Sequence, residues 1–305
     1  MRGVQTYKYK ECNKKFSAKR RNKTILQKKI WKDYVFGKQT IRELSRDYEV
    51  DKRIVKEYLN TYTVPTKTHF PRTINLVVDG TYFGERKEQT SWCLVVFRDP
   101  RNKENLWWTF TKAETISVYR EGRDYLESLG YTIKSVTGDG FGGIRQAFSC
   151  TPFQMCHVHM ERLVIKGTTR NPQTKAGVVL LSLVRTLKDT DQETFRNRSK
   201  QFIEIYRDFL NEETIHPLSE ESSYKHDGVR SALKSLVRFE PFLFTFKQNK
   251  KISRTTNSIE GHFSNINRVT SIHRGLSKLQ KQKVLHSILL ASSVAPTEEK
   301  FKYVL

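Results

Sequence analysis

Apolar positions recur at helical spacing through residues 24–60, and the pattern predicts three short helices. In the first, over 24–36, Ile25, Leu26, Ile30, Trp31 and Tyr34 form the inward stripe, and Gly37 ends it. Ile41, Leu44 and Tyr48 mark a second helix that Gln39/Thr40 can start. Asp51 is a good N-cap for a third, with Ile54, Val55, Tyr58 and Leu59 inward and Lys52, Arg53 and Lys56 outward. After Pro65 the texture changes. Pro65 and Pro71 bracket a linker, and three apolar runs follow at 73–79, 92–98 and 106–111. Gly80 and Gly84, then Asp99-Pro100 and Asn102, separate them, so three antiparallel strands are expected. Thr115 can cap a helix with Val118, Tyr119, Gly122, Tyr125, Leu126 and Leu129 on one face. A fourth strand (132–137), a short helix (142–148) and a fifth strand (153–158) complete the run.

The order β-β-β-α-β-α-β has a consequence for chemistry. A right-handed helical crossover sets the fourth strand parallel to a neighbour, most simply the first. Asp79 and Asp139 each end an apolar strand. On parallel neighbours the two carboxylates meet at one sheet edge, where α/β proteins bind ligands. From 160 to 246 the strand texture is gone. Residues 176–187 read as an apolar helix, and Thr190-x-x-Glu193 as the capping box of a second with Phe195, Phe202, Ile205, Tyr206 and Phe209 inward. A third helix is expected over 229–237. This stretch reads as an all-α insertion. A final helix over 255–268 is opened by Asn257-x-x-Glu260. The expected fold class is therefore α/β, divided into an N-terminal arm (1–23), a helical module (24–64), a core (65–159), an insertion (160–246) and the core's C-terminal helices (247–305).

Charge sharpens the functional reading. The 305 residues include 55 Lys plus Arg against 32 Asp plus Glu, a net +23. About half the excess lies in residues 1–70, which hold 19 basic and 7 acidic residues. Lys14, Lys15, Lys19, Arg20, Arg21, Lys23, Lys28 and Lys29 form a basic run. Such a balance calls for a polyanionic partner, with nucleic acid foremost. Three helices with a basic last one fit a helix-turn-helix module, so Lys52, Arg53 and Lys56 are the expected DNA contacts. Apolar residues make up 37% of the chain, enough for a core, and no apolar run is long enough to span a membrane. No secretory signal is apparent, and Cys12, Cys93, Cys150 and Cys156 follow no disulfide framework. A reducing, cytoplasmic and nucleoid-associated setting is expected. Cys12 sits where a zinc-ribbon knuckle would place its second thiolate, but Tyr9 occupies the first position, so the ribbon is degenerate and no zinc is assigned to it.

Two aspartates and a glutamate suit metal-dependent phosphodiester chemistry. Hard divalent cations take oxygen ligands, and a pair of them can steady both the attacking and the leaving oxygen. Asp79, Asp139 and Glu260 are the candidates for catalysis and for holding Mg²⁺ or Mn²⁺. Each also has a plain structural reading: Asp79-Gly80 and Asp139-Gly140 as turn starts, Glu260 as a capping acid.

The motifs VVDGTYFG, TGDGFGGIRQAF, QMCHVHMER and TTNSIEGHFSNINR, in that order, resemble the Mutator-type transposases of bacterial insertion sequences. The resemblance runs from the helix-turn-helix to about Ser277, and His273-Arg274-Gly275-Leu276 matches a tail in one branch of that family. It implies an RNase H-like core of the DDE group interrupted by an α-helical insertion. It implies Asp79, Asp139 and Glu260 as the metal-binding triad. Cleavage at an element end would free a 3′-OH that then attacks target DNA, and two ends suggest a homodimer or higher oligomer. Cys156-x-x-His159 resembles the family's C-x-x-H signature, and Asn257 belongs to its T-N-x-I-E signature. Cys156 and His159 either brace the fifth strand against the catalytic helix or bind zinc with two more ligands, Cys150 and His157 being near but badly spaced. Many relatives carry Asn where this chain has Phe263. The alternative function is a transposase-derived DNA-binding protein or repressor without catalysis.

Overall fold

Local capping chemistry starts most of the helices. The computed structural model of the protein describes residues 6–12, 15–17, 22–84, 90–215, 222–273 and 275–292. Lys14, Lys19, Arg20 and Arg21 of the basic run, and Arg274, lie outside the described residues. Strands β1 (Thr6–Lys8) and β2 (Lys15–Ser17) pair antiparallel, with the exposed Cys12 between them. Helix α1 (Lys23–Val35) starts at Asn22, whose side chain accepts from the Thr24 and Ile25 amides. Helix α2 (Ile41–Asp47) carries a full capping box between Thr40 and Glu43, and α3 (Lys52–Thr61) starts at Asp51.

The chain forms two compact units, one from Met1–Thr66 with Ile266–Leu305, the other from Lys67–Asn265. The sequence-based division kept 247–305 with the sheet; residues from Ile266 onward group instead with the N-terminal helices. In that first unit Trp31 stacks on Tyr62 at 4.9 Å and donates from Nε1 to Ser287 Oγ at 3.0 Å. Burying Trp31 and Tyr34 takes an apolar cover that α1–α3 lack alone, and Val284, Leu285, Ile288 and Leu289 are buried in the same unit. Two residues expected inside are not: Ile25 is 54% exposed and Ile54 40%. Ile25 lies in the first turn of α1, and Ile54 falls at the margin of the stripe made by Val55, Tyr58 and Leu59.

The second unit is mixed α/β around a five-stranded sheet. Strands β3 (Thr73–Phe83), β4 (Trp92–Asp99) and β5 (Glu104–Thr111) form an antiparallel meander. Helix α4 (Ile116–Ser128) crosses to β6 (Thr132–Gly138), which lies parallel to β3; α5 (Gly142–Ala147) leads to β7 (Phe153–Met155), parallel to β6. The sheet order β5-β4-β3-β6-β7 is compatible with an RNase H-like core. Helix α4 lies so close to the meander that a Cβ on Gly122 would stand 2.6 Å from the Trp107 ring and 2.8 Å from that of Phe97.

The fifth strand is shorter than expected, because helix α6 (His157–Thr168) begins two residues after Met155 with no side-chain cap to announce it. Helices α7 (Lys175–Arg185), α8 (Gln192–Ile205) and α9 (Arg207–Asn211) follow. Asp191, not Thr190, caps α8, accepting from the Thr194 amide, and Ile205 is 74% exposed rather than inward. The stretch expected to be all-α also holds a small antiparallel pair, β8 (Glu213–Ile215) and β9 (Ser222–Tyr224). Helix α10 (Asp227–Leu243) packs on α6 at a glycine crossing. Helices α11 (Asn257–Ile272) and α12 (Lys278–Ala291) end the described chain. Among the described residues no helix is long and apolar enough to cross a membrane.

Candidate active site

The parallel register of β3 and β6 pairs Val77 with Thr137, so Asp79 and Asp139 stand at the same level. Asp79 does not end its strand. The β3–β4 hairpin runs on past the end of β6 to Phe83 opposite Trp92, which leaves Asp79 in mid-strand opposite Val96. The turn reading of Asp79-Gly80 is thereby excluded. Asp139 does shape a turn: its Oδ1 accepts from the Phe141 amide at 2.9 Å, and Gly140 takes φ +91°. Asp79 is buried and Asp139 half-buried.

The segment after α10 is laced to the same sheet edge. Thr245 Oγ1 donates to the Phe153 carbonyl, the Phe246 amide to Gln154 Oε1, and Thr137 Oγ1 to the Ser253 carbonyl, at 2.7, 2.8 and 2.8 Å. The His157 amide donates to the Arg254 carbonyl at 3.0 Å. This lacing sets Thr256 against Cys156: the Thr256 amide points to Cys156 Sγ at 3.3 Å. The Thr256 carbonyl accepts from the Ile259 and Glu260 amides, so Thr256, rather than Asn257, begins the helical bonding of α11. Asn257 is exposed in the first turn. Farther along α11, Asn105 links Arg98 to His262: Arg98 Nη1 donates to Asn105 Oδ1 at 2.6 Å, and Asn105 Nδ2 lies 3.1 Å from His262 Nε2. Burial, and then the Arg98 charge, push His262 down to about 4, so its ring joins this chain neutral.

Among the described residues, one group of His, Cys, Asp and Glu side chains could hold a metal ion: Asp79, His159 and Glu260, whose ligand atoms all lie within 4.8 Å of one another. Asp139 stands beside this group without belonging to it. Its charge still registers, since Asp79 is pushed up to about 7, first by burial, with His159 opposing and Asp139 reinforcing. His159, expected only as a supporting residue, faces the two carboxylates, with Nε2 3.7 Å from Glu260 Oε1 and Nδ1 3.3 Å from Thr256 Oγ1. Burial lowers its pKa, but hydrogen bonding to Cys156 and the negative charges of Cys156, Asp79 and Asp139 outweigh that and raise it. Burial raises the Cys156 thiol, yet hydrogen bonds with His159 and Thr256 bring it below its ordinary value. Cys156 is absent from the metal group. Of the two further zinc ligands considered, Cys150 is exposed, and His157 Nε2 lies 2.8 Å from the Leu243 carbonyl. Among the described residues Cys156 therefore lies against Thr256 and not within a set of four metal ligands.

Sequence reasoning missed two residues at the site. Arg162 donates from Nη1 to Glu260 Oε1 and from Nη2 to Glu260 Oε2, both at 2.8 Å. Its signal was its place on a helix, three residues after His159 and hence on the same face. Glu114 Oε2 accepts from Tyr119 Oη at 3.0 Å, and the carboxylate lies over the Gly80 backbone, 2.3 Å from where a Cβ would stand. Its pKa is raised by burial and then by Asp139. Nothing local marked Glu114, because only the fold of the meander carries it back to Gly80. Lys52, Arg53 and Lys56 lie in the other unit, all exposed on α3.

No family model matches the chain, and no curated protein matches it. Among solved structures the chain is similar, at 12% identity and a TM-score of 0.24, to a chain in the cryo-electron-microscopy structure of the simian T-cell lymphotropic virus intasome in complex with PP2A regulatory subunit B56 gamma. The match covers 68% of this chain and 65%, just under two thirds, of that one.

Proposed function

We propose that the chain is a metal-dependent DNA transposase of the DDE type. In this reading an RNase H-like core with an α-helical insertion does the chemistry, and a helix-turn-helix module on α1–α3 binds DNA. The observation that carries the reading is the convergence of Asp79 and Glu260, with His159, on one sheet edge beside Asp139. The chain's +23 charge supports DNA as partner, and work on two element ends supports a homodimer or higher oligomer.

The donor set fits a divalent cation. Asp79 is pushed up to about 7, first by burial, with His159 opposing that only in part and Asp139 adding to it, so a further positive charge would favour its ionised form. Two carboxylates and an imidazole suit Mn²⁺, and the carboxylates alone suit Mg²⁺. Asp79, Glu260 and His159 would hold the cation, with Asp139 adjacent. When bound it supplies the positive charge that offsets the build-up on the attacking and leaving oxygens at phosphorus. The protein's share is placement. Asp79 is fixed in mid-strand by pairing with β4, opposite Val96, just past the last β3–β6 pair. Glu260 is fixed by the lacing of 243–256 to β7 and by the Asn105–His262 link. His159 is turned toward the carboxylates by Thr256.

The test is cleavage and strand transfer on labelled DNA that carries the sequences flanking the reading frame, with binding measured on the same samples. Asp79→Asn, Asp139→Asn and Glu260→Gln are expected to abolish both reactions in Mg²⁺ or Mn²⁺ and to leave binding intact. Wild-type rates in all three would overturn the reading. A wild-type chain that binds these ends but never cuts them would make it a DNA-binding protein or repressor.

A further inference from the structure

We propose that Arg162 is a phosphate ligand for bound DNA, held on Glu260 until a divalent cation competes for that carboxylate. The inference rests on the proposed function and names a residue outside the triad. The guanidinium engages both oxygens of Glu260 at 2.8 Å, the fork-on-fork arrangement that uses a carboxylate most fully. One of those two oxygens is the ligand atom that Glu260 offers to the group of Asp79, His159 and Glu260. Nη1 also lies 3.5 Å from His159 Nε2, so the guanidinium borders the space that a cation would take. Two cations thus contend for one carboxylate.

Arg162 and Glu260 differ in how they are held. The Arg162 side chain is 55% exposed, whereas that of Glu260 is 24% exposed and anchored on α11. Glu260 is therefore the fixed partner and Arg162 the one free to swing. Once displaced, the guanidinium stands at the mouth of the site with five donors and a fixed positive charge, next to where a phosphodiester must enter. Planar forked geometry matches two phosphate oxygens as well as it matches a carboxylate. The exchange moves one ion-pair partner for another and makes or breaks no covalent bond.

Three readouts separate the possibilities on the full-length chain. The first is Mn²⁺ affinity without DNA, followed by electron paramagnetic resonance. Arg162→Gln is expected to bind Mn²⁺ about two- to fivefold more tightly than wild type, the worth of a partly exposed ion pair. In a Glu260→Gln background the same change is expected to do nothing. The second is DNA affinity in Ca²⁺ against salt: Arg162→Gln is expected to lower the log–log slope by about one, with Arg162→Lys restoring most of it. The third is cleavage in saturating Mn²⁺, expected to fall at least tenfold in Arg162→Gln. Weaker Mn²⁺ binding in Arg162→Gln would overturn the proposal and leave Arg162 as a prop for Glu260. An unchanged salt slope would overturn it equally. Absence of cleavage in the wild type would instead sink the proposed function, because the metal and salt readouts need no turnover.

Discussion

Replacing Gly167 by Ala tests whether the helix that carries His159 and Arg162 is fixed by its crossing with α10. A Cβ on Gly167 would stand 2.2 Å from the Gly228 carbonyl oxygen, and a Cβ on Gly228 2.5 Å from that of Gly167. Ordinary van der Waals contact begins near 3.4 Å, and the obstacle on both sides is backbone, which cannot rotate away. The helices must part by about 1 Å, opening the packing of Val164, Val229, Ala232 and Leu236 around the crossing. Overpacking costs about 1–3 kcal/mol, and the upper end applies where no side chain can yield. About 3 kcal/mol lowers the melting temperature of a unit this size by roughly 6–12 °C. The same shift moves α6 against the sheet edge, and a displacement of ~1 Å at a reacting centre costs about a hundredfold in rate. Gly261→Ala is the control. Nothing lies within 4 Å of its Cβ position, in the interior of α11 and next to Glu260, so it is expected to stabilise by about 1 kcal/mol and leave activity alone. Differential scanning fluorimetry with urea melts reads both. Gly167→Ala melting within 2 °C of wild type would refute the argument from the crossing.

His262→Ala removes the partner of Asn105 and is expected to cost about 2 kcal/mol in urea unfolding, with cleavage falling because α11 loses its tie to the meander. Ser287→Ala removes the acceptor of the buried Trp31 Nε1–H and is expected to destabilise the first unit by about 1 kcal/mol, seen in Trp fluorescence melts. Lys52→Ala, Arg53→Ala and Lys56→Ala together are expected to lower the salt slope of DNA binding by roughly 2–3; an unchanged slope would remove α3 from the interface. Saturating Mn²⁺ at a hundredfold excess over its dissociation constant is expected to stabilise the wild type by about 2.7 kcal/mol and Asp79→Asn far less, measured by thermal shift.

The sheet was legible because its signals are local. Alternating apolar runs, Asp-Pro and Gly turns and a capped crossover helix are each read within a dozen residues, and the parallel placement of Asp79 beside Asp139 follows from their order. The start of α6 was not legible, since Cys156 makes no side-chain cap and the strand runs straight into the helix. The β8–β9 pair was missed because its three-residue strands are exposed throughout and carry no period. His159 and Arg162 were visible as residues but not as neighbours of Glu260. Their meeting depends on contacts between positions about a hundred apart in sequence, such as the Thr256 amide with Cys156 Sγ, and no local pattern encodes those.

The charges of the site give its strongest physical constraint. Asp79, Asp139, Glu114 and Glu260 gather at one place, and Asp79 and Glu114 are both raised, first by burial and then by the negative charge of Asp139. His159 and Arg162 offset it only in part. Carboxylates gathered in this way would repel a phosphodiester, although the chain's net charge of +23 favours polyanions in general. Each buried carboxylate there costs stability unless a positive charge accompanies it. The guanidinium of Arg162, paired with both oxygens of Glu260, supplies part of that charge, and the proposed divalent cation would supply more. The same electrostatic logic thus ties together three separate observations: the elevated carboxyl groups, the forked ion pair on Glu260, and four carboxylates gathered at one site of a chain whose net charge is +23.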